Sequence, residues 1–148
     1  MSTIQFKISR FNELSAAEMY LVLQLRESVF IVEQNCVYHD IDGKDDKALH
    51  VLGKYEDEIV AYARLFKPGD YFEQASIGRV VVSPDYRDRK WGHELMRAAI
   101  GAIESEFKSG AIEISAQSYL QLFYQTHGFT AISETYLEDD IPHIRMLR

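Results

Sequence analysis

The stretch VVVSPDYRDRKWGHEL, residues 80–95, is the part of the chain that decides the predicted fold. The β-branched residues 80–82 favour a strand, the Ser-Pro-Asp sequence at 83–85 favours a turn, and the pattern from Gly92 onward is typical of a helix. The first amides of a helix have no acceptor within the helix, and the helix dipole adds partial positive charge there. This junction is therefore suited to bind a phosphate group.

Positive side chains are concentrated at the same junction. Arg87, Arg89 and Lys90 lie close together in a chain whose formal net charge is -7. Gly92 would let a ligand approach the backbone without a Cβ in the way. An ordinary strand, turn and helix with solvated cations is the alternative. Charge and spacing alone do not decide between the two interpretations.

The composition indicates one acidic domain spanning residues 1–148, because 47% of the residues are hydrophobic and 12% are aromatic, enough for one sizeable core. The net charge of -7 argues against nucleic-acid and membrane-surface partners and favours cationic small molecules or basic peptides. Cys36 is the only cysteine, which excludes an internal disulfide and a multi-cysteine zinc site. No signal-like or membrane-length apolar run is present, so we expect a cytoplasmic protein.

Hydrophobic periodicity predicts the elements around the junction. Alternation predicts a strand at 3–10, and Ser15 with Glu18 forms a capping-box pattern that begins a helix ending near Val32. Further strands are predicted at 50–55, 59–66, 75–82, 111–116, 129–134 and 141–147, and further helices at 92–107 and 119–127. The order is β-α-β-β-β-α-β-α-β-β. The stretch 33–47 lacks periodicity, and loops of that length are often functional.

Two motifs resemble those of the GNAT N-acetyltransferase family. Arg87-x-x-Lys90-x-Gly92 is similar to the family's Arg/Gln-x-x-Gly-x-Gly/Ala acyl-CoA signature, and FYQTHGF at 123–129 is similar to its Phe-Tyr-x-x-x-Gly-Phe motif. Similarity to the ElaA-like branch of the family lies at residues 25–42, 77–80 and 142–144. The resemblance implies the GNAT acyl-CoA N-acyltransferase fold, an α/β (α+β) architecture with a mixed central sheet of about six to seven strands flanked by helices.

The resemblance also implies where acetyl-CoA, the co-substrate, would bind. In GNAT enzymes the strand that matches residues 80–82 pairs with the pantetheine arm like an extra strand, and the amides that match 87–93 surround the pyrophosphate. Tyr124 would be the general acid that protonates the departing CoA thiolate. The implied cofactor-binding residues are Val80, Val81, Val82, Arg87, Asp88, Arg89, Lys90, Trp91, Gly92, His93, Gln117 and Tyr124.

Two positions depart from the family pattern. Lys90 replaces the first glycine of the signature, and Ser76 stands where many members have a glutamate general base. A base is needed because an alkylamine, with a pKa of about 10.4, is almost entirely protonated at neutral pH. The resemblance places Glu33 and His50 on the acceptor side, and these two residues are the candidate bases.

The expected acceptor-binding residues are Glu33, His50, Arg79 and His143. Each has a structural alternative. His50 would be a strand-edge histidine satisfied by hydrogen bonds, and Glu33 would bind a cationic substrate or pair with Arg26. Arg79 and His143 would be structural hydrogen-bond donors.

The predicted reaction is direct transfer of an acetyl group from acetyl-CoA to a small-molecule or peptide amine in a ternary complex. The alternative is a non-catalytic acyl-CoA-binding regulatory module, which the serine at position 76 would suit. Outside its motif, Tyr124 would be an ordinary residue of an amphipathic helix. The sequence leaves a homodimer open.

We expect no metal. The aspartates that begin at Asp40 resemble a calcium loop only faintly, because Gly43 comes fourth and Val51 occupies the twelfth position, where glutamate is required. A zinc site built from Cys36 and nearby histidines is a less simple interpretation than a solvated acidic turn or a cation-attracting rim.

Overall fold

The computed structural model describes residues 3–148, and within this range the chain forms one mixed sheet of eight strands. The strands are β1 Gln5–Arg10, β2 Leu49–Tyr55, β3 Glu58–Phe66, β4 Ala75–Val82, β5 Ile112–Gln117, β6 Thr130–Ala131, β7 Tyr136–Glu138 and β8 Ile141–Leu147. The helices are α1 Ala16–Arg26, α2 Trp91–Phe107 and α3 Gln121–Gln125. The predicted fold class is confirmed, and so is the predicted order of elements through α3.

The last part of the chain differs from the prediction. The strand expected at 129–134 is two short strands, β6 and β7, and both pair with β8. Between them the Ser133 hydroxyl accepts the amide of Arg145 at 2.9 Å, so a side chain replaces a backbone carbonyl in the ladder. This interruption explains the additional strand. The helix expected at 119–127 is also shorter, a 3₁₀ turn at Ser118–Leu120 followed by α3.

Local sequence explains where α1 begins. The Ser15 hydroxyl accepts the amide of Glu18 at 3.0 Å, and the Glu18 carboxylate accepts the amide of Ser15 at 3.0 Å, which confirms the capping box. Beyond Arg26 the helix continues as a wider π-helical turn over Glu27–Glu33, close to the expected end at Val32. Turns of this type occur frequently at functional sites.

The sheet opens in its middle. The strand order is β1-β2-β3-β4-β5-β8-β6, with β7 also beside β8. The parallel neighbours β4 and β5 pair only at Ala75 with Ile112 and at Ser76 with Glu113. Beyond Ser76 the two strands diverge, so the remainder of β4 has a free backbone edge on the side of β5.

Two hydrophobic clusters hold the layers together because side chains alternate between the faces of a strand. Leu95, Met96 and Ala99 of α2 are fully buried against the sheet. In the second cluster, Val22 of α1 packs with Leu52 of β2. Among residues 3–148, no helix combines the length and the hydropathy needed to span a bilayer.

Candidate functional site

A cleft of about 700 Å³ opens where β4 and β5 diverge. Residues 76–82 of β4 form one wall. The other expected site residues that line the cleft are Glu33, Arg87, Lys90, Gly92, His93, Gln117, Tyr124 and His143. The cleft therefore brings together all of the expected site residues except His50, Asp88, Arg89 and Trp91.

The β4 wall contains a bulge at Arg79. Tyr62 of β3 faces Val81, whereas Arg64 faces Gly78, so the one residue between them on β3 lies opposite two residues of β4. Arg79 has a φ of 50°, in the left-handed region that few non-glycine residues adopt. A bulge leaves backbone groups of its strand unpaired. Together with the missing β5 pairing, it makes the β4 backbone available to an extended ligand.

The residue before α2 has an unusual backbone conformation. Lys90 precedes the helix with φ 59° and ψ 26°, the left-handed conformation that glycine adopts most easily. Lys90, which stands where the family signature has a glycine, thus adopts a conformation that suits glycine better than lysine. At Gly92, a Cβ would meet the Phe123 ring at 3.5 Å, an ordinary contact, so the fold itself does not demand glycine there.

A bidentate ion pair spans one end of the cleft. The Arg87 guanidinium donates two hydrogen bonds to the Glu33 carboxylate, each 2.6 Å long. The hydrogen bonds from Arg87 lower the pKa of Glu33, which keeps this carboxylate ionised and makes it a weaker proton acceptor. The expected alternative in which Glu33 pairs with Arg26 is wrong, because Arg26 binds other carboxylates.

Three of the expected cofactor residues, Asp88, Arg89 and Trp91, do not line the cleft. The Arg89 guanidinium lies over the rings of Tyr55, Tyr86 and Trp91, at 5.0, 5.1 and 5.2 Å from their centroids. Arg89, although exposed, and Trp91 therefore belong to an aromatic cluster at the turn before α2, where cation–π contacts stabilise the stacked arrangement.

Tyr124 lies in the cleft wall with only 6% of its surface exposed. Its ring packs edge-on against Phe123 and Phe129, which holds its direction. Burial raises the pKa of Tyr124, so the hydroxyl keeps its proton at neutral pH. Gln117, which also lines the cleft, donates a hydrogen bond of 3.3 Å to Gln34.

His50 does not line the cleft, which corrects the expectation that it faces the acceptor. It is fully buried, with Nδ1 2.6 Å from the Tyr62 hydroxyl and Nε2 2.9 Å from the carbonyl oxygen of Asp45. Burial lowers the pKa of His50. Because both ring nitrogens are engaged, the structural alternative describes this histidine.

A buried arginine–aspartate network lies beside the cleft and was missed by the sequence prediction. Arg26, which is 0% exposed, binds Asp40 at 2.9 Å and Asp45 at 2.8 Å. Arg64, which is 1% exposed, binds Asp42 at 2.8 Å and Asp45 at 3.0 Å. Burial raises the pKa of Asp42, but the hydrogen bond from Arg64 outweighs it and the pKa falls to about 2.

The network also includes Arg79, whose guanidinium lies 2.7 Å from Asp40 and 3.5 Å from Asp42. Asp40, Asp42 and Asp45 of the 33–47 loop are therefore arginine partners, and the expected solvated turn or cation-attracting rim is wrong for these three. They tie the loop to the β4 bulge. The sequence signal that would have revealed this was Arg64, a charged residue inside the apolar run of β3.

The β7–β8 side of the cleft is largely aromatic and carries carboxylates at its edge. Its lining residues are Tyr38, Phe66, Tyr71, Phe72, Ser115, Glu138, Asp139, Ile141 and His143. Phe66 and Tyr71 stack with their centroids 5.1 Å apart. Ser76, at the position of the family glutamate, is 2% exposed and lines the cleft as a neutral hydroxyl.

His143 is held in one orientation on this side. Its Nδ1 lies 2.7 Å from the carbonyl oxygen of Ile141, and its Nε2 lies 3.6 Å from a carboxylate oxygen of Glu138. Its ring stacks on Tyr136 with a centroid distance of 6.3 Å. Across the sheet, His143 is the register partner of Gln117 on β5.

Comparison with known proteins gives concordant results. The sequence model of the Acetyltransferase (GNAT) domain matches residues 15–148. ElaA of Escherichia coli strain K12 is 44% identical over 147 residues, covering 98% of this chain and 96% of ElaA. The crystal structure of Escherichia coli ElaA matches with a TM-score of 0.92 at 43% identity, covering 99% of both chains. That of an acyl-CoA N-acyltransferase from Pseudomonas aeruginosa matches with a TM-score of 0.93 at 40% identity, also covering 99% of both chains. In the part of the chain that the structure describes, no group of three or more His, Cys, Asp or Glu is arranged to hold a metal ion.

Proposed function

The chain belongs to the GNAT acetyltransferase family, and on that premise we propose that it moves an acetyl group from acetyl-CoA to a primary amine by direct attack in a ternary complex. One observation carries this proposal. A free strand edge, a basic helix start and Tyr124 all line the same cleft.

The β4 wall and the start of α2 support binding of acetyl-CoA. The unpaired backbone beyond Ser76 can hydrogen bond the two amides of pantetheine as an added strand would. The amides at the start of α2, with Arg87 and Lys90 beside them, suit the pyrophosphate. The same cleft thus offers an apolar, strand-like groove for the arm and positive charge for the phosphates.

Tyr124 suits the departure of the thiol. The amine nitrogen attacks the thioester carbon, a C–N bond forms, and the C–S bond breaks as sulfur leaves with the electron pair. The Tyr124 hydroxyl, which carries its proton at neutral pH, gives that proton to this sulfur. Solvent then restores the proton on the tyrosine.

The β7–β8 side of the cleft supports an acceptor with an amine on an apolar or aromatic body. Tyr38, Phe66 and Tyr71 supply flat apolar surface, and rings of this kind also attract a nearby ammonium group. The carboxylates of Glu138 and Asp139 at the edge add negative charge that draws a cation inward. Small-molecule amines and peptide amines both satisfy this description.

Turnover of purified protein with acetyl-CoA and a panel of arylalkylamines, followed by thiol release and product mass, tests the proposal. We expect acetylated product from wild-type protein. Tyr124→Phe should lower kcat by about 100-fold or more, because it removes a general acid, and should leave the Kd for acetyl-CoA unchanged. Tyr20→Phe is the matched control, since this tyrosine lies on α1 and is 69% exposed.

The alternative, a non-catalytic acyl-CoA-binding module, is motivated by the serine at position 76. It predicts calorimetric binding of acetyl-CoA without product from any amine. Binding without turnover would overturn the proposed reaction and favour the module. Absence of binding would overturn both.

A further inference from the structure

We propose that His143 is the general base that takes the proton from the acceptor amine, in place of the glutamate that Ser76 replaces. The inference rests on the proposed function and assigns the role that acyl transfer leaves open. Two observations support the inference: the imidazole lines the cleft, and a hydrogen bond orients it.

The hydrogen bond to Ile141 sets the tautomer of the imidazole. A carbonyl oxygen is only an acceptor, so the Nδ1 atom 2.7 Å from it must carry the hydrogen and donate it. In the neutral ring the other nitrogen, Nε2, then has a free lone pair. That lone pair is the proton-accepting site, held on a ring that is only 7% exposed.

Glu138 stabilises the product of proton transfer. Its carboxylate oxygen lies 3.6 Å from Nε2, beyond a normal hydrogen bond and within reach of the positive charge that an imidazolium would carry. The Ser115 hydroxyl donates to the other carboxylate oxygen at 3.1 Å and fixes the carboxylate in place. The Ile141 carbonyl orients the ring through Nδ1, the nitrogen that does not take the proton, as the third group does for catalytic histidines in general.

The other candidates are less suited to the role. Glu33 is held by two hydrogen bonds from Arg87, which lower its pKa, and His50 is buried with both nitrogens engaged. Ser76 on β4 lines the cleft but has only a neutral hydroxyl. By contrast, His143 combines a free nitrogen lone pair with a place in the lining on the aromatic, acceptor-binding side.

The proton balance of the reaction follows from this assignment. The acceptor ammonium loses one proton, the neutral amine attacks the thioester, and the nitrogen loses a second proton as the amide forms. The first of these protons, from the ammonium, passes to Nε2 of His143, which later releases it to solvent, and the second is lost to solvent. Tyr124 supplies the separate proton that the sulfur takes up, so the net reaction converts ammonium and acetyl-CoA into amide, free thiol and one proton.

The test compares two acceptors of the same shape, 2-phenylethylamine and its 2,2-difluoro derivative, whose amine is far less basic. His143→Gln should lower kcat for 2-phenylethylamine by about 100-fold or more. The decrease in kcat should be much smaller for the fluorinated amine, because a large fraction of that amine is already neutral near pH 7 and does not require a base to remove the ammonium proton. A purely structural role would lower kcat equally for both amines and would overturn the proposal.

The pH dependence of kcat provides a second readout. An imidazole base must be neutral to accept a proton, so wild-type kcat should fall on acidification along a limb that His143→Gln lacks. The titratable groups that face the ring are Glu138 and Tyr136 of β7, while β5 places the neutral Gln117 opposite it. Glu138→Gln should reduce kcat severalfold, since a neutral amide stabilises imidazolium less.

Controls separate this inference from the proposed function. His39→Gln, at an exposed histidine outside the cleft lining, should match wild type in both assays. Calorimetric binding of acetyl-CoA and the melting temperature should be the same for wild type and His143→Gln. If wild type turns over neither amine, the proposed acceptor class fails and the inference fails with it. If wild type turns over both and His143→Gln keeps the acid limb, only the inference fails.

Discussion

Replacing Glu33 with glutamine should tighten acetyl-CoA binding and leave kcat nearly unchanged. Both oxygens of the Glu33 carboxylate accept hydrogen bonds from Arg87 at 2.6 Å, and Arg87 lines the end of the cleft that suits the pyrophosphate. The carboxylate and a bound phosphate would therefore compete for one guanidinium. Glutamine keeps an oxygen acceptor but removes the negative charge.

The exposure of the pair sets the size of the effect. The side chains of Arg87 and Glu33 are 45% and 41% exposed, respectively. An exposed ion pair of this type contributes at most about 1 kcal/mol. If releasing Arg87 returns that free energy to phosphate binding, the Kd for acetyl-CoA should fall by up to about fivefold. The gain should shrink with added salt, because salt screens exposed charges.

Calorimetric titration of acetyl-CoA at low and high salt measures this change, and thiol release with a fixed amine measures kcat. Glu27→Gln is the matched control, because this exposed glutamate lies on the same π-helical turn but outside the cleft lining. An unchanged Kd together with a fall in kcat of about 100-fold would refute the reasoning, since that result is typical of a lost general base.

Two further predictions concern stability. Arg26→Met leaves the buried Asp40 and Asp45 short of a cation and should lower the free energy of unfolding by about 3–5 kcal/mol in urea titrations; a loss below about 1 kcal/mol would contradict the buried network. Hydrogen bonds, first from Lys54, lower the pKa of Glu18 from 4.5 to about 2. A carboxyl group whose pKa is lower in the folded protein than in the unfolded chain stabilises the fold at pH values above its unfolded pKa. Wild type should therefore be more stable than Glu18→Gln by about 1 kcal/mol at neutral pH. This difference should decline as the pH falls from 4.5 toward 2. A constant difference over that range would count against this account.

Much of the fold was predictable because local patterns determine its elements. The capping box at Ser15 and Glu18 marks the start of α1 through hydrogen bonds between residues three apart. The β-branched run at 80–82 and the helical pattern from Gly92 predict the strand, turn and helix without knowledge of any distant residue. The divided edge strand was not predictable, since it depends on the Ser133 hydroxyl reaching the Arg145 amide.

The site was predicted less evenly than the fold. Motif residues such as Tyr124 and Lys90 line the cleft as expected. The predicted site was wrong mainly where it depended on the surroundings of charged residues. Arg89 packs on aromatic rings from β2 and from the turn before α2, and His50 lies buried under the 33–47 loop. Whether a charged side chain faces a ligand or contacts another residue of the same protein depends on residues far away in the chain.

By itself, the sequence of this protein determined most of the order of elements and the position of the strand–turn–helix junction at residues 80–95, because hydrophobic periodicity, caps and turns act between near neighbours. Only the tertiary structure decided which titratable groups share the cleft. The divergence of β4 from β5 creates the cleft, and the arginine–aspartate network positions the loop beside it. The pairing of β8 with β5 and β7 places His143 beside Glu138. Ion pairing, burial and the choice of a histidine tautomer are set by three-dimensional neighbours, so none of them can be derived from local pattern alone.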